Sequence, residues 1–146
     1  MADTRVQLEV EDWVRKNWLP QQFGATFRRE RLQLTSGGVF DFDAVSPDNS
    51  TVATISTSAG VTSGGKHPTG KLMKIRSDIL FLLLADATRR IIVLTDPQMY
   101  QLCMREKDGG RVPSAVEFAL AQIPEQLEGK LRKAQSAASR EVRPRQ

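Results

Sequence analysis

Cysteine and histidine are almost missing from this chain: its 146 residues hold one of each, Cys103 and His67. A single thiol excludes an internal disulfide framework and any zinc site built on Cys pairs. A single imidazole excludes a multi-histidine metal centre. Long apolar runs are missing too. The longest, Ile79 to Ala85, covers seven residues, whereas a membrane-spanning helix needs about 18 or more. The first residues, MADTRVQLEVEDW, are polar and mixed in charge, without the apolar stretch of a secretory signal. These absences make a cytoplasmic protein with no membrane partner the expectation. Most of the chain also lacks an excess of one charge. Residues 128–146 carry six basic and two acidic residues, which is the whole net charge of +4. A single domain over residues 1–127 is expected, followed by a basic helix end and tail over 128–146. Such a tail suits phosphates or an acidic partner, while the balanced body argues against binding nucleic acid by bulk charge.

What is present is an ordinary globular balance, 40% hydrophobic and 26% charged. Val6, Val10, Val14, Trp13 and Trp18 recur near helical spacing, which predicts an amphipathic helix ending near Pro20. Residues 25–34 read as a first strand. The segment VFDFDAV, Val39 to Val45, alternates, with Phe40, Phe42 and Ala44 on one face and Asp41, Asp43 and Val45 on the other. TVATIST, Thr51 to Thr57, is β-branched and reads as a third strand. The polar, glycine-rich loop from Ser58 to Gly70 leads to a helix from Leu72 to Ala87. There Leu72, Ile75, Ile79, Leu82 and Leu83 form the apolar stripe, with Lys74, Arg76 and Asp78 placed elsewhere. RIIVLT, Arg90 to Thr95, has the pattern of a strand buried on both faces. Asp96-Pro97 opens the next helix as cap and first residue, and a last helix is expected from Ser114, interrupted by Pro124. The fold class is therefore α/β. A mixed four-stranded sheet is expected, a three-strand antiparallel meander plus a parallel strand reached through a crossover helix, flanked by helices.

That element order, with acids on the second strand and a basic loop before the crossover helix, resembles the restriction-endonuclease-like superfamily, the PD-(D/E)xK nucleases, over roughly Leu8 to Tyr100. The resemblance implies an αβββαβ core with an Asp on the second strand and Glu-x-Lys on the third. In such a site two carboxylates hold magnesium or manganese beside the scissile phosphate, and the lysine positions the attacking water. Asp43 is the first choice for the strand acid, Asp41 the second, and Glu11 or Glu9 would be the helix acid found in some members. The third strand departs from the pattern: Ser56-Thr57-Ser58 stand where Glu-x-Lys belongs. Either the lysine has migrated, with Lys66, Lys71 and Lys74 as candidates and Asp41 with Asp43 as the metal carboxylates, or the fold survives as a binding module with a degenerate site. Lys71 and Lys74 are the candidate catalytic lysines.

Gly65-Lys66-His67-Pro68-Thr69-Gly70-Lys71 also fits the phosphate-loop pattern G-x-x-x-x-G-K between a strand and a helix, but Leu72 replaces the magnesium-binding Ser or Thr. Lys66, His67 and Gly70 remain candidate phosphate contacts, as do Arg143 and Arg145 in the tail. The expectation is a nucleic-acid-binding protein of nuclease-like fold, with magnesium if the site is active. The alternatives are a non-enzymatic scaffold subunit that meets a protein partner through its C-terminal helix, and a nucleotide-binding protein.

Overall fold

The computed structural model describes residues 4–61 and 65–142. The chain begins with helix α1 (Arg5–Trp13), a π-helical turn (Val14–Trp18) and helix α2 (Leu19–Phe23), which follow without a break. The helix expected to end near Pro20 runs on to Phe23. Proline cannot donate the i→i−4 bond, and here the turn before it is already widened, with the Leu19 N–H reaching the Val14 carbonyl. Such π turns are where a helix absorbs an irregularity. Gly24, at φ 66°, then ends the helix in the left-handed conformation.

Three strands follow, β1 (Arg28–Gln33), β2 (Val39–Val45) and β3 (Thr51–Ser56), then helix α3 (Thr69–Leu84), strand β4 (Arg89–Leu94) and helix α4 (Pro97–Asp108). Asp96 caps α4 as its sequence predicts, its carboxylate accepting the Met99 N–H at 2.9 Å. The segment read as a helix from Ser114 is instead a strand, β5 (Val116–Leu120), followed by helix α5 (Glu125–Val142). Among the described residues the sheet therefore has five strands, not four, in the order β1-β2-β3-β4-β5. β1 and β3 are antiparallel to β2, while β4 and β5 continue parallel to β3. The expected parallel crossover strand is β4.

Helices cover both faces of this mixed sheet. On one face, Phe42, Val45, Val52, Ile92 and Leu94 pack with Leu72, Ile75 and Leu82 of α3 and Met99 and Cys103 of α4. On the other, Ala44, Ala53, Ile55, Ile91 and Val93 pack with Val10, Val14 and Leu19 and with Leu127 and Leu131 of α5. β4 sends alternate side chains into both layers, as its unbroken apolar run requires. α5 crosses the expected boundary at residue 128, and its buried Leu131 makes it part of this core. Among the described residues no helix is long and apolar enough to cross a membrane.

β2 departs from the simple alternation in its sequence. Ala44 faces the α1 layer, while Phe42 and Val45 both face the α3 layer. The register with β1 shows why. Glu30 pairs with Phe42 and Arg28 with Val45, so two steps along β1 match three along β2. One extra residue is accommodated as a β-bulge at Asp43–Ala44, which reverses the facing of Val45.

Candidate functional site at the Asp43 bulge

The bulge changes what the backbone around Asp43 can do. Regular pairing of β2 with β3 joins Ala44 to Ala53 and Val45 to Val52. At the next step a side chain takes over from the ladder: the Ile55 N–H donates to Asp43 Oδ2 at 2.8 Å. The Asp43 carbonyl accepts from Arg15 Nε at 2.6 Å, and the same guanidinium holds Asp12 at 2.6 Å. Arg15 is only 9% exposed, so the π turn that carries it is tied to the bulge by a buried, charge-assisted bond.

Three acids from three elements meet electrically here. Burial is the largest influence on Asp43 and raises its pKa; the Ile55 N–H works against this, the charge of Asp78 adds to it, and Arg29 and Arg15 oppose it. Glu11 of α1 is also raised, first by burial and next by the charge of Asp43. Asp78 of α3, 6% exposed, is raised by burial against the opposing hydrogen bond and charge of Lys74. Asp43 is thus the member coupled to both others. Each acid holds its proton more tightly than in water because burial disfavours the anion, and at Asp43 and Glu11 like charge adds to it. Perturbed groups of this kind concentrate at functional sites.

The residues singled out by sequence are distributed unevenly around this centre. Glu11 and Asp43 come within electrostatic reach of each other. Asp41 is exposed and is held across the strands by Arg31, at 3.0 and 3.3 Å, which lowers its pKa. Lys74 Nζ bonds Asp78 Oδ1 at 2.7 Å one turn along α3. Lys71 and Gly70 lie exposed in the first turn of α3, and Lys66 and His67 lie exposed in the loop before it. His67 Nδ1 stands 3.5 Å from Thr69 Oγ1. In the phosphate-loop reading, Leu72 at the magnesium position is a core side chain. Arg143 and Arg145 lie outside the described residues. The apolar face of α5, through Leu127 and Leu131, is spent on the protein's own core. In place of Glu-x-Lys, Thr57 is buried with its carbonyl accepting from Gln135 Nε2 at 2.7 Å, and the Ser58 N–H turns back to Ser56 Oγ at 3.4 Å.

Sequence reasoning missed Asp78, Arg15 and Arg29. For Asp78 a signal existed: it stands three residues after Ile75 and four before Leu82, within the apolar stripe of α3. An acid at such a position has to be buried.

A divalent cation suits these donors in kind, since the side chains at hand are carboxylates. Carboxylates suit magnesium, which commonly binds one or two of them and keeps several waters. Asp43 and Glu11 are the two of these acids that come from the strand and the first helix, and they lie within electrostatic reach of each other. Thr54, on β3 beside Ile55, is 3% exposed, and its Oγ1 has no hydrogen-bond partner. Among the described residues no three His, Cys, Asp or Glu side chains are grouped to hold a metal together. Comparison with protein-family models, with characterised proteins and with solved structures found no match.

Proposed function

We propose that this chain is a nucleic-acid-binding protein of nuclease-like fold, with a rearranged, magnesium-dependent phosphodiesterase site centred on Asp43. One observation carries the reading: an Asp on β2, placed where strand pairing gives way, is coupled to Glu11 of the first helix and to Asp78 of the crossover helix. The order α1, β1, β2, β3, α3, β4 supports it, being the αβββαβ order that the sequence resemblance implies. A bound divalent ion would supply Lewis-acid polarisation of a phosphoryl oxygen and an activated water. The chain's own part is to present Asp43 and Glu11, with Asp43 oriented by Ile55 and Arg15. Lys74, one of the candidate lysines, bears on this centre through its bond to Asp78.

The test is cleavage of duplex and single-stranded substrates with magnesium or manganese, with and without EDTA. Cleavage that disappears with EDTA and in Asp43→Ala, while the variant still binds, supports the site. Cleavage that persists in Asp43→Ala overturns it. Binding without cleavage identifies a degenerate site. A second reading, a protein-docking scaffold, rests on α3, where Met73 is 57% and Leu80 54% exposed. Apolar side chains this exposed on one helix suit a partner surface, and absence of nucleic-acid binding favours that role.

A further inference from the structure

A phosphate brought against coupled carboxylates needs a cation whose donors are free. Three basic side chains stand by these acids, Arg15 and Arg29 acting on Asp43 and Lys74 on Asp78, and two of them are already engaged. Arg15 is spent on Asp12 and the Asp43 carbonyl, and Lys74 on Asp78. The third is Arg29 of β1. Its place follows from the bulge: with Arg28 opposite Val45 and Glu30 opposite Phe42, the one residue between them faces both Asp43 and Ala44. Its neighbours on the strand are tied down, Arg28 to the Ser46 carbonyl and Asn49 Oδ1, Arg31 to Asp41. The Arg29 side chain is exposed and makes no hydrogen bond or ion pair among the described residues.

Strand alternation puts Arg29 on the face of Phe27 and Arg31, and Phe27 packs in the layer of α1. Glu11 and Arg15 project from that layer. Arg29 also acts on the charges of Glu11, Asp41 and Asp43, favouring the anion in each. A guanidinium near three acids but bonded to none keeps its planar fork of donors available for a bidentate oxyanion.

We infer that Arg29 is the phosphate-binding residue of the Asp43 site, gripping a nucleic-acid phosphate that enters from the α1–β1 face. This rests on the reading of the chain as nucleic-acid-binding and supplies from β1 the cation that β3 lacks. The lysines at the start of α3 are then secondary to it in holding the strand. Arg29 touches the phosphate itself, and that contact is read by salt dependence.

The experiment measures the affinity of the full chain for a duplex oligonucleotide across a salt series, without divalent metal. The variants are Arg29→Ala, Arg29→Lys and Arg105→Ala. Arg105 is exposed on α4 and, like Arg29, shows no ion pair among the described residues, so its variant removes the same charge elsewhere. Losing one phosphate contact makes the slope of log K against log salt shallower by about 0.9 and weakens binding about eightfold at 0.1 M salt. Arg29→Ala is expected to show both effects, Arg29→Lys to recover the slope, and Arg105→Ala to match the wild type. Wild-type binding with an unchanged slope in Arg29→Ala overturns this inference and leaves the proposed function standing. Equal losses in Arg29→Ala and Arg105→Ala overturn it in favour of bulk charge. A wild type that binds no oligonucleotide overturns both.

Discussion

Gly60 is the most tightly packed glycine among the described residues, and replacing it tests how the exit from β3 is fixed. Its N–H donates to Asp96 Oδ2 at 2.7 Å, and the same oxygen caps the Met99 N–H at 2.9 Å. The loop leaving β3 is thereby fastened to the first turn of α4. A Cβ at residue 60 would stand 2.5 Å from the Gln98 carbonyl carbon and 2.8 Å from Gln98 Cβ, and nearer still to the Met99 nitrogen. Two of these three atoms are backbone. Met99, fully buried, and Pro97 anchor that turn, so it cannot retreat without opening the core. Overpacking of this kind costs about 1–3 kcal/mol. Stretching a bond to a charged acceptor adds about 1.5–3 kcal/mol when the bond is lost outright. Gly60→Ala is therefore expected to cost about 3 kcal/mol. With a urea m-value of about 2 kcal/mol/M, the midpoint falls by about 1.5 M at unchanged m. Asp96→Ala removes the same hydrogen bond from the other side, so the double variant should lose less than the sum of the single losses. A midpoint that moves by under about 0.3 M in Gly60→Ala, or strict additivity with Asp96→Ala, refutes the coupling described here.

Two further outcomes follow from ionisation. Glu11, Asp43 and Asp78 all have raised pKa values, from ordinary values of 4.5, 3.8 and 3.8. The folded state therefore binds protons more tightly than the unfolded chain, and this contribution is fully present below those ordinary values and lost as pH rises through the raised ones. Asp48, held by Ser46 and Ser50 at about 2, acts in the opposite sense, and its contribution is lost as pH falls below its ordinary 3.8. Urea midpoints across pH 4–7 should decline with rising pH, and Asp43→Asn should flatten the decline; an equal slope in that variant removes Asp43 from the coupled set. The Cys103 thiol, buried beside Glu106, is pushed up to about 11. An aromatic disulfide reagent at pH 8 should label it only as fast as the protein opens, with one equivalent released in urea; rapid labelling of the native protein contradicts this burial.

The fold was legible wherever one element's own pattern decided its structure. VFDFDAV gave β2 its full span, the apolar RIIVL gave β4, and Asp96-Pro97 gave the start of α4. The misreadings arose where neighbours decide. VEFAL is short, and Val116, Ala119, Leu120 and Ile123 also satisfy a helical spacing. What makes it a strand is the ladder offered by β4, which pairs every residue from Arg90 to Leu94 with β5. Pro20 is a strong stop signal, but a stop can be overridden when the preceding turn has already shifted its bonding. The charge of Asp78 sets it outside the apolar stripe, but its spacing from Ile75 and Leu82 puts it inside, and there it is buried.

The site was legible as a list of acids but not as a geometry, because a bulge belongs to two strands and no single strand announces one. Strict alternation makes Asp41 and Asp43 equivalent: same face, two residues apart, both beside phenylalanines. The count against β1 separates them. Asp41 sits in the regular ladder directly opposite Arg31 and is neutralised there. One bulge later, Asp43 has two steps of partner strand for three of its own, so its carbonyl is free for Arg15 and its carboxylate for Ile55. The same mismatch leaves Arg29 facing two residues, with its guanidinium bonded to neither. One extra residue thus turns two similar aspartates into an exposed ion pair with a lowered pKa and a half-buried acid with a raised one. Only the second is electrically coupled to other acids. Deleting Ala44 would restore the simple register and remove that difference, so the contrast belongs to the bulge rather than to either aspartate alone.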